Sequence, residues 1–180
     1  MGRTYERLDE QLGEWIGRQH VFFVATAPSG DEGLVNLSPK GSDTFRVFDP
    51  TTVAYLDLTG SGVETIAHLR QNGRLTFMFC SFDDKPRIVR LYGTGDVVLP
   101  DADEWPDLAA RFPDLPGARS VIRCRVERIA DSCGYSIPVM DYVGERDTLD
   151  DWARRKGPDG LVAYRAERNR ESIDGLPGLA

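Results

Sequence analysis

Between Leu34 and Leu99 the chain runs through a series of short apolar stretches, each closed by Gly, Pro, Asn or Asp, with a single helical pattern set among them. Runs this short can bury an apolar face only against one another, so an antiparallel meander is expected in place of alternating strands and crossover helices. Val21 to Ala27, rich in β-branched and aromatic residues, leads into the set and ends at Pro28-Ser29-Gly30-Asp31-Glu32-Gly33, a strand followed by a turn. Leu34 to Leu37, Thr44 to Phe48 before Asp49-Pro50, and Thr52 to Leu58 give three further strands. Arg74 to Ser81 alternates, with Leu75, Phe77 and Phe79 opposite Thr76, Met78 and Cys80. Ile88 to Tyr92 and Gly95 to Leu99 read as one long strand interrupted at Gly93-Thr94-Gly95, where a bulge or barrel corner is expected. In Val121 to Ile129, Ile122, Cys124 and Val126 face one way and Arg123, Arg125 and Glu127 the other.

Helical signals are few. Leu8, Leu12, Trp15 and Ile16 recur at helical spacing and stop near Gly17. Ser61-Gly62-Val63-Glu64 has the spacing of a capping box, so a helix is expected to start there, bury Val63, Ile66, Ala67 and Leu69, and end at Asn72-Gly73. Few helices among about six antiparallel strands predict a mainly β protein with flanking helices, a closed or split barrel. The segment after Ala130 reads as added helices and loops. A length of 180 residues suits one domain spanning 1–180, with the barrel over about 15–130 and an extension over about 131–180.

With 22 Lys and Arg against 29 Asp and Glu, the net charge is −7, and no basic run supplies the positive field that nucleic acid or an anionic membrane attracts. The longest apolar stretch, Val21 to Ala27, is far too short to span a bilayer, and residues 1–10 lack the apolar core of a signal peptide. A cytoplasmic protein is the expectation. Cys80, Cys124 and Cys133 match neither a disulfide framework nor a CxxC site and read as reduced, structural residues. No His, Cys and carboxylate spacing suggests a metal cage, and neither His20 nor His68 has a serine or cysteine nucleophile near it in sequence.

Three segments carry a family resemblance over roughly residues 15–130: Asn36-Leu37-Ser38-Pro39-Lys40-Gly41 after the second strand; Asp57-Leu58-Thr59-Gly60-Ser61-Gly62 turning into a helix that ends Gln71-Asn72-Gly73-Arg74; and Pro86-Arg87-Ile88-Val89-Arg90-Leu91-Tyr92-Gly93. Together they resemble the flavin-binding split-barrel family related to pyridoxamine 5'-phosphate oxidase. Asp131 to Pro138 and Asn169 to Gly178 are similar to a subgroup of flavin-nucleotide-binding proteins within it. The resemblance implies a six-stranded antiparallel split β-barrel with helical C-terminal additions, FMN as cofactor, and a homodimer with a cofactor site at each interface. It places Val35, Asn36, Leu37, Ser38 and Lys40 beside the ring and ribityl chain, with Lys40 near the phosphate. Thr59, Ser61, Gly62 and Thr65 would meet the phosphate or ribityl chain, and Arg90 would approach from its strand.

The implied activity is FMN-dependent hydride transfer to or from an unidentified small molecule. A non-enzymatic flavin-binding or redox-sensing module, or a barrel using deazaflavin F420 or haem, are the alternatives. Oxidation of pyridoxamine phosphate itself is not implied. The oxidases carry Arg-Lys at the helix start, where this chain has Glu64-Thr65, and their C-terminal Arg-Leu-His-Asp-Arg motif has no counterpart here. Taken without the resemblance, each residue has a plainer role: a capped helix that binds nothing, a solvated turn lysine at Lys40, an exposed or ion-paired Arg90, and structural histidines. Helix N-termini nevertheless suit phosphate, because their free amides and dipole favour negative charge.

Overall fold

Among residues 2–179, which the computed structural model describes, the elements run β1 (Arg3–Tyr5), α1 (Glu10–Gly17), β2 (Phe22–Thr26), β3 (Asn36–Lys40), β4 (Phe45–Asp49), β5 (Thr52–Leu58), α2 (Glu64–Asn72), β6 (Arg74–Cys80), β7 (Ile88–Val98), α3 (Trp105–Ala109), β8 (Ala118–Ser132) and α4 (Thr148–Arg168). Every strand pairing among the described residues is antiparallel, in the order β3-β2-β6-β7-β8-β5-β4, with β1 joined to β8. The expected barrel architecture is present, but the sheet has eight strands where six were expected. One of the additions is β1, whose Arg3-Thr4-Tyr5 shows no alternation and is held by pairing with Asp131, Ala130 and Ile129.

The sheet curls because β3 and β4, at opposite ends of the strand order, are consecutive in the chain. Ser42 and Asp43 between them take left-handed φ values of 60° and 52°. Phe45 on β4 then packs edge-on against Phe77 and Phe79 of β6, and Phe22 of β2 lies between them and Tyr55 of β5. This aromatic group, with Val24, Leu75, Val89, Leu91, Ile122 and Ile129, fills the barrel. Burial of such side chains contributes about 1.5–3 kcal/mol each. A second, smaller cluster joins Leu56, Val98 and Val121 to Phe112 beyond α3.

Two local expectations change and one holds. The strand expected at Leu34 to Leu37 lies at Asn36–Lys40, pairing with β2 from Phe22↔Lys40 to Thr26↔Asn36. Pro39 is accommodated there because β3 is an edge strand and needs no amide on its outer side. The bulge expected in the long strand at Gly93 is present, as a register shift between Tyr92 and Gly93 through which β7 continues to Val98. The capping box does not form: α2 begins at Glu64 with Val63 as N-cap and no side-chain cap. Its other end is as expected, with Gly73 left-handed (φ 70°) and its amide bonded to Leu69 O at 2.9 Å.

The C-terminal segment packs on the same chain. α4 breaks at Gly157, where φ is 66° ahead of Pro158, and then runs past the β5–α2 turn. Residues beyond it turn back over α2: Leu34 N–H donates to Asp174 Oδ2 at 2.9 Å, and Arg70 donates to Gly178 O. No described helix is long and apolar enough to cross a membrane.

Candidate functional site

Two polar networks meet where β3, the β5–α2 turn and α4 converge. The first is charged. Asp57, the last inward residue of β5 and fully buried, accepts from Lys40 Nζ at 3.0 Å and from Arg119 Nε at 2.7 Å. Arg119 sits beside the shift in the β5–β8 register between Asp57 and Leu58 and is itself 5% exposed. Burial alone would raise the Asp57 pKa, but Lys40 and Arg119 more than offset it and hold the carboxyl below its ordinary value. Arg119 Nη1 continues to Asn169 Oδ1 at 2.8 Å, and Asn169 Nδ2 donates to Gly60 O at 2.9 Å and Ser61 O at 3.4 Å. One helical turn earlier, Arg165 donates to Thr59 Oγ1 and to Ala118 O, both at 2.9 Å. Arg165 forms no salt bridge among the described residues, and burial with Arg119 nearby lowers its pKa.

The second network is neutral. Asn36 Nδ2 donates to Thr26 Oγ1 and Thr65 Oγ1, each at 3.1 Å, and its Oδ1 accepts from Ser38 Oγ at 2.9 Å. Thr26 Oγ1 lies 2.9 Å from His68 Nδ1. His68 is fully buried, and burial lowers its pKa although Asp174 and Glu64 lie on the opposing side of the balance. Two buried polar atoms have no partner here: His68 Nε2 and the Tyr55 hydroxyl. The hydroxyl approaches Thr65 without closing a hydrogen bond, and burial followed by Asp57 raises its pKa well above normal. An unpaired buried hydroxyl costs about 1–3 kcal/mol. Tyr55→Phe is therefore expected to raise stability by about 1 kcal/mol in denaturant unfolding, and a loss instead would show that the hydroxyl is satisfied.

The ten residues implicated by sequence are distributed unevenly over this arrangement. Asn36, Ser38 and Thr65 belong to the neutral network and Lys40 to the charged one. Val35, just before β3, and Leu37 on it stand 74% and 62% exposed, and Ser61 is exposed with Gly62 beside it. Thr59 is buried, its hydroxyl donating to Gly117 O at 2.8 Å and accepting from Arg165, so it supports the turn from behind. Arg90 joins neither network and bonds Ser132 Oγ at 3.2 Å. Glu64, at the first turn of α2, is drawn to the Ile173 amide at 3.4 Å.

Arg119, Arg165 and the role of Asn169 are not visible in the sequence. The first lies on β8 and the others in or just past α4, and no spacing in the chain ties them to Gly60-Ser61-Gly62. His20 stacks flat on Tyr142, with ring centroids 3.5 Å apart, at the rim of a separate 1410 Å³ cleft that includes Trp15, Phe82 and Arg87. Cys124 is buried and pushed up to about 12 by that burial, which makes its thiol inert. No cluster of metal-ligating side chains occurs among the described residues.

The donors fit an anionic, phosphate-bearing ligand. Three cations gather round one buried carboxylate, and a glycine-bearing turn opens a helix whose first amides lack a side-chain cap. Comparison with known proteins gives the context. Residues 8–133 match the family model described as pyridoxamine 5'-phosphate oxidase. The pyridoxamine 5'-phosphate oxidase family protein ustO of Aspergillus flavus is 39% identical over 194 aligned residues, covering 97% of this chain and 77% of the relative. Among solved structures, a Lactobacillus delbrueckii protein provisionally named pyridoxamine 5'-phosphate oxidase superposes with a TM-score of 0.55 at 21% identity, over 69% of this chain and 94% of its own. HupZ of Group A Streptococcus gives 0.52 at 23%, over 68% and 91%. An FAD-binding protein of Mesorhizobium loti gives 0.51 at 16%, over 73% and 96%. These three likenesses show the shared fold.

Proposed function

The chain belongs to the pyridoxamine 5'-phosphate oxidase family, and from that premise we propose that it binds FMN as a homodimer and transfers hydride between the flavin and a small molecule. The observation that carries the reading is the excess of donors at the β5–α2 turn, where Lys40, Arg119 and Arg165 surround the single buried carboxylate of Asp57. A phosphate dianion would complete that charge balance. Bound flavin supplies two-electron chemistry at its ring and needs no dedicated acid or base from the protein.

The residues of this chain bind and orient. Lys40 and the turn meet the phosphate, while exposed Val35 just before β3 and Leu37 on it offer an apolar surface beside which a ring can lie. Asn36, locked by Thr26, Thr65 and Ser38, holds that strand against α2. The apolar row on β3, an open edge strand, is the kind of surface that a second copy of the chain covers, excluding water from the site.

The reading is tested by the absorbance spectrum of the purified protein, identification of any released chromophore, and titration of apo-protein with FMN, FAD, F420 and haem. Flavin binding with turnover of a reduced nicotinamide supports the oxidoreductase. Binding without turnover against a range of acceptors indicates a redox module, and failure to bind any flavin overturns the proposal. Lys40→Ala is expected to weaken FMN binding about tenfold in the same titration, the loss of one charge-assisted contact. Unchanged affinity would confine Lys40 to its ion pair with Asp57.

A further inference from the structure

We infer that Asn169 is a positioning residue: from the end of the C-terminal helix it turns the amides of Ser61 and Gly62 outward, as a paired donor for the phosphate of the cofactor. This rests on the flavin reading above.

Asn169 is fully buried at the C-cap of α4, and its carboxamide works in both directions. Nδ2 donates to Gly60 O and Ser61 O, and Oδ1 accepts from Arg119. A trans peptide holds the carbonyl of one residue and the N–H of the next on opposite sides. Carbonyls of Gly60 and Ser61 that point at Asn169 therefore oblige the N–H groups of Ser61 and Gly62 to point away from α4. Neither amide has an intramolecular hydrogen bond among the described residues. They directly precede the uncapped first turn of α2, and successive free amides in such a turn form an anion-binding concavity. In the same first turn of α2, the buried, unpartnered Tyr55 hydroxyl ends beside Thr65.

The chemistry requires asparagine. Aspartate would set acceptors against two carbonyl oxygens, and glutamine, one methylene longer, would have to fit the same fully buried position. The clamp is also braced, because Arg119 is fixed by Asp57 and Asp57 by Lys40, so the turn is held from β3, β5, β8 and α4 together. The clamp also accounts for the missing capping box: with its carbonyls drawn to Asn169, the Ser61 backbone is turned away from the N-cap geometry, and Glu64 is free to take the Ile173 amide.

The deciding experiment is titration of 15N-labelled wild-type protein with FMN and with riboflavin, which lacks the phosphate. The Ser61 and Gly62 amide protons are expected to move downfield with FMN and to stay in place with riboflavin. Asn169→Asp is expected to weaken FMN by about tenfold and to leave riboflavin within about twofold, because only the phosphate contact is lost. A purely structural role would weaken both ligands alike, and that result, or unmoved amides in a wild-type protein that binds FMN, overturns the inference alone. Should the variant fail to fold, the wild-type amide shifts decide. Should the wild type bind neither ligand, the flavin reading falls and the inference falls with it.

Discussion

Asp57→Asn is expected to lower stability by about 3–5 kcal/mol, because it leaves the guanidinium of Arg119 buried without a counter-charge. At roughly 2–4 °C per kcal/mol for a chain of this size, the melting temperature should fall by about 6–20 °C. The pH dependence supplies a second readout with a definite sign. The folded pKa of Asp57 is depressed, so its contribution is present above the unfolded carboxylate value, near 3.9, and is lost as pH falls through the lower folded value. Wild-type stability should therefore decline below about pH 4 more steeply than that of the variant. Equal acid limbs and equal midpoints in denaturant titrations would mean that Arg119 finds its compensation elsewhere.

Gly93→Ala is the other large effect, expected at about 3 kcal/mol or more. Gly93 lies at the β7 register shift, where an added Cβ would come 2.1 Å from Arg125 O and 2.7 Å from Cys124 Sγ. The obstructing carbonyl belongs to β8, which is paired with β7 on one side and β5 on the other, and cannot retreat without breaking that ladder. The matching control is Gly13→Ala in α1, where nothing lies within 4 Å of the new Cβ. There alanine should gain about 0.5–1 kcal/mol from helix propensity. Thermal melts of the two variants that shift together would refute the steric account.

The strands were legible because their pattern is a property of the local chain. Leu75, Phe77 and Phe79 alternate with Thr76 and Met78 in any register that buries one face, and the Asn72-Gly73 stop needs only a residue at ease with positive φ. The errors fell where a distant partner decides. β1 is a strand because β8 is long enough to pair with it, and the helix expected from Ser61 starts only at Glu64, with Ser61 O bonded to Asn169, 108 residues further on. Of the site, β3 and the β5–α2 turn could be marked from their motifs. Two of the three cations around Asp57 could not, since Arg119 and Arg165 are two among many arginines until folding brings them to the turn.

By itself the sequence determined the antiparallel barrel and the glycine-bearing turn into α2, because periodicity and turn chemistry act between neighbours and survive in a single chain read end to end. Only the tertiary structure decided that the β5–α2 turn is held from behind by Asn169, that Lys40 shares a buried carboxylate with Arg119, and that the C-terminal segment closes over its own α2. The reason is physical: a buried charge or an unpaired carbonyl is costly enough to dictate its partner, but the partner can come from anywhere in the chain, and only the closed barrel brings the two within bonding distance.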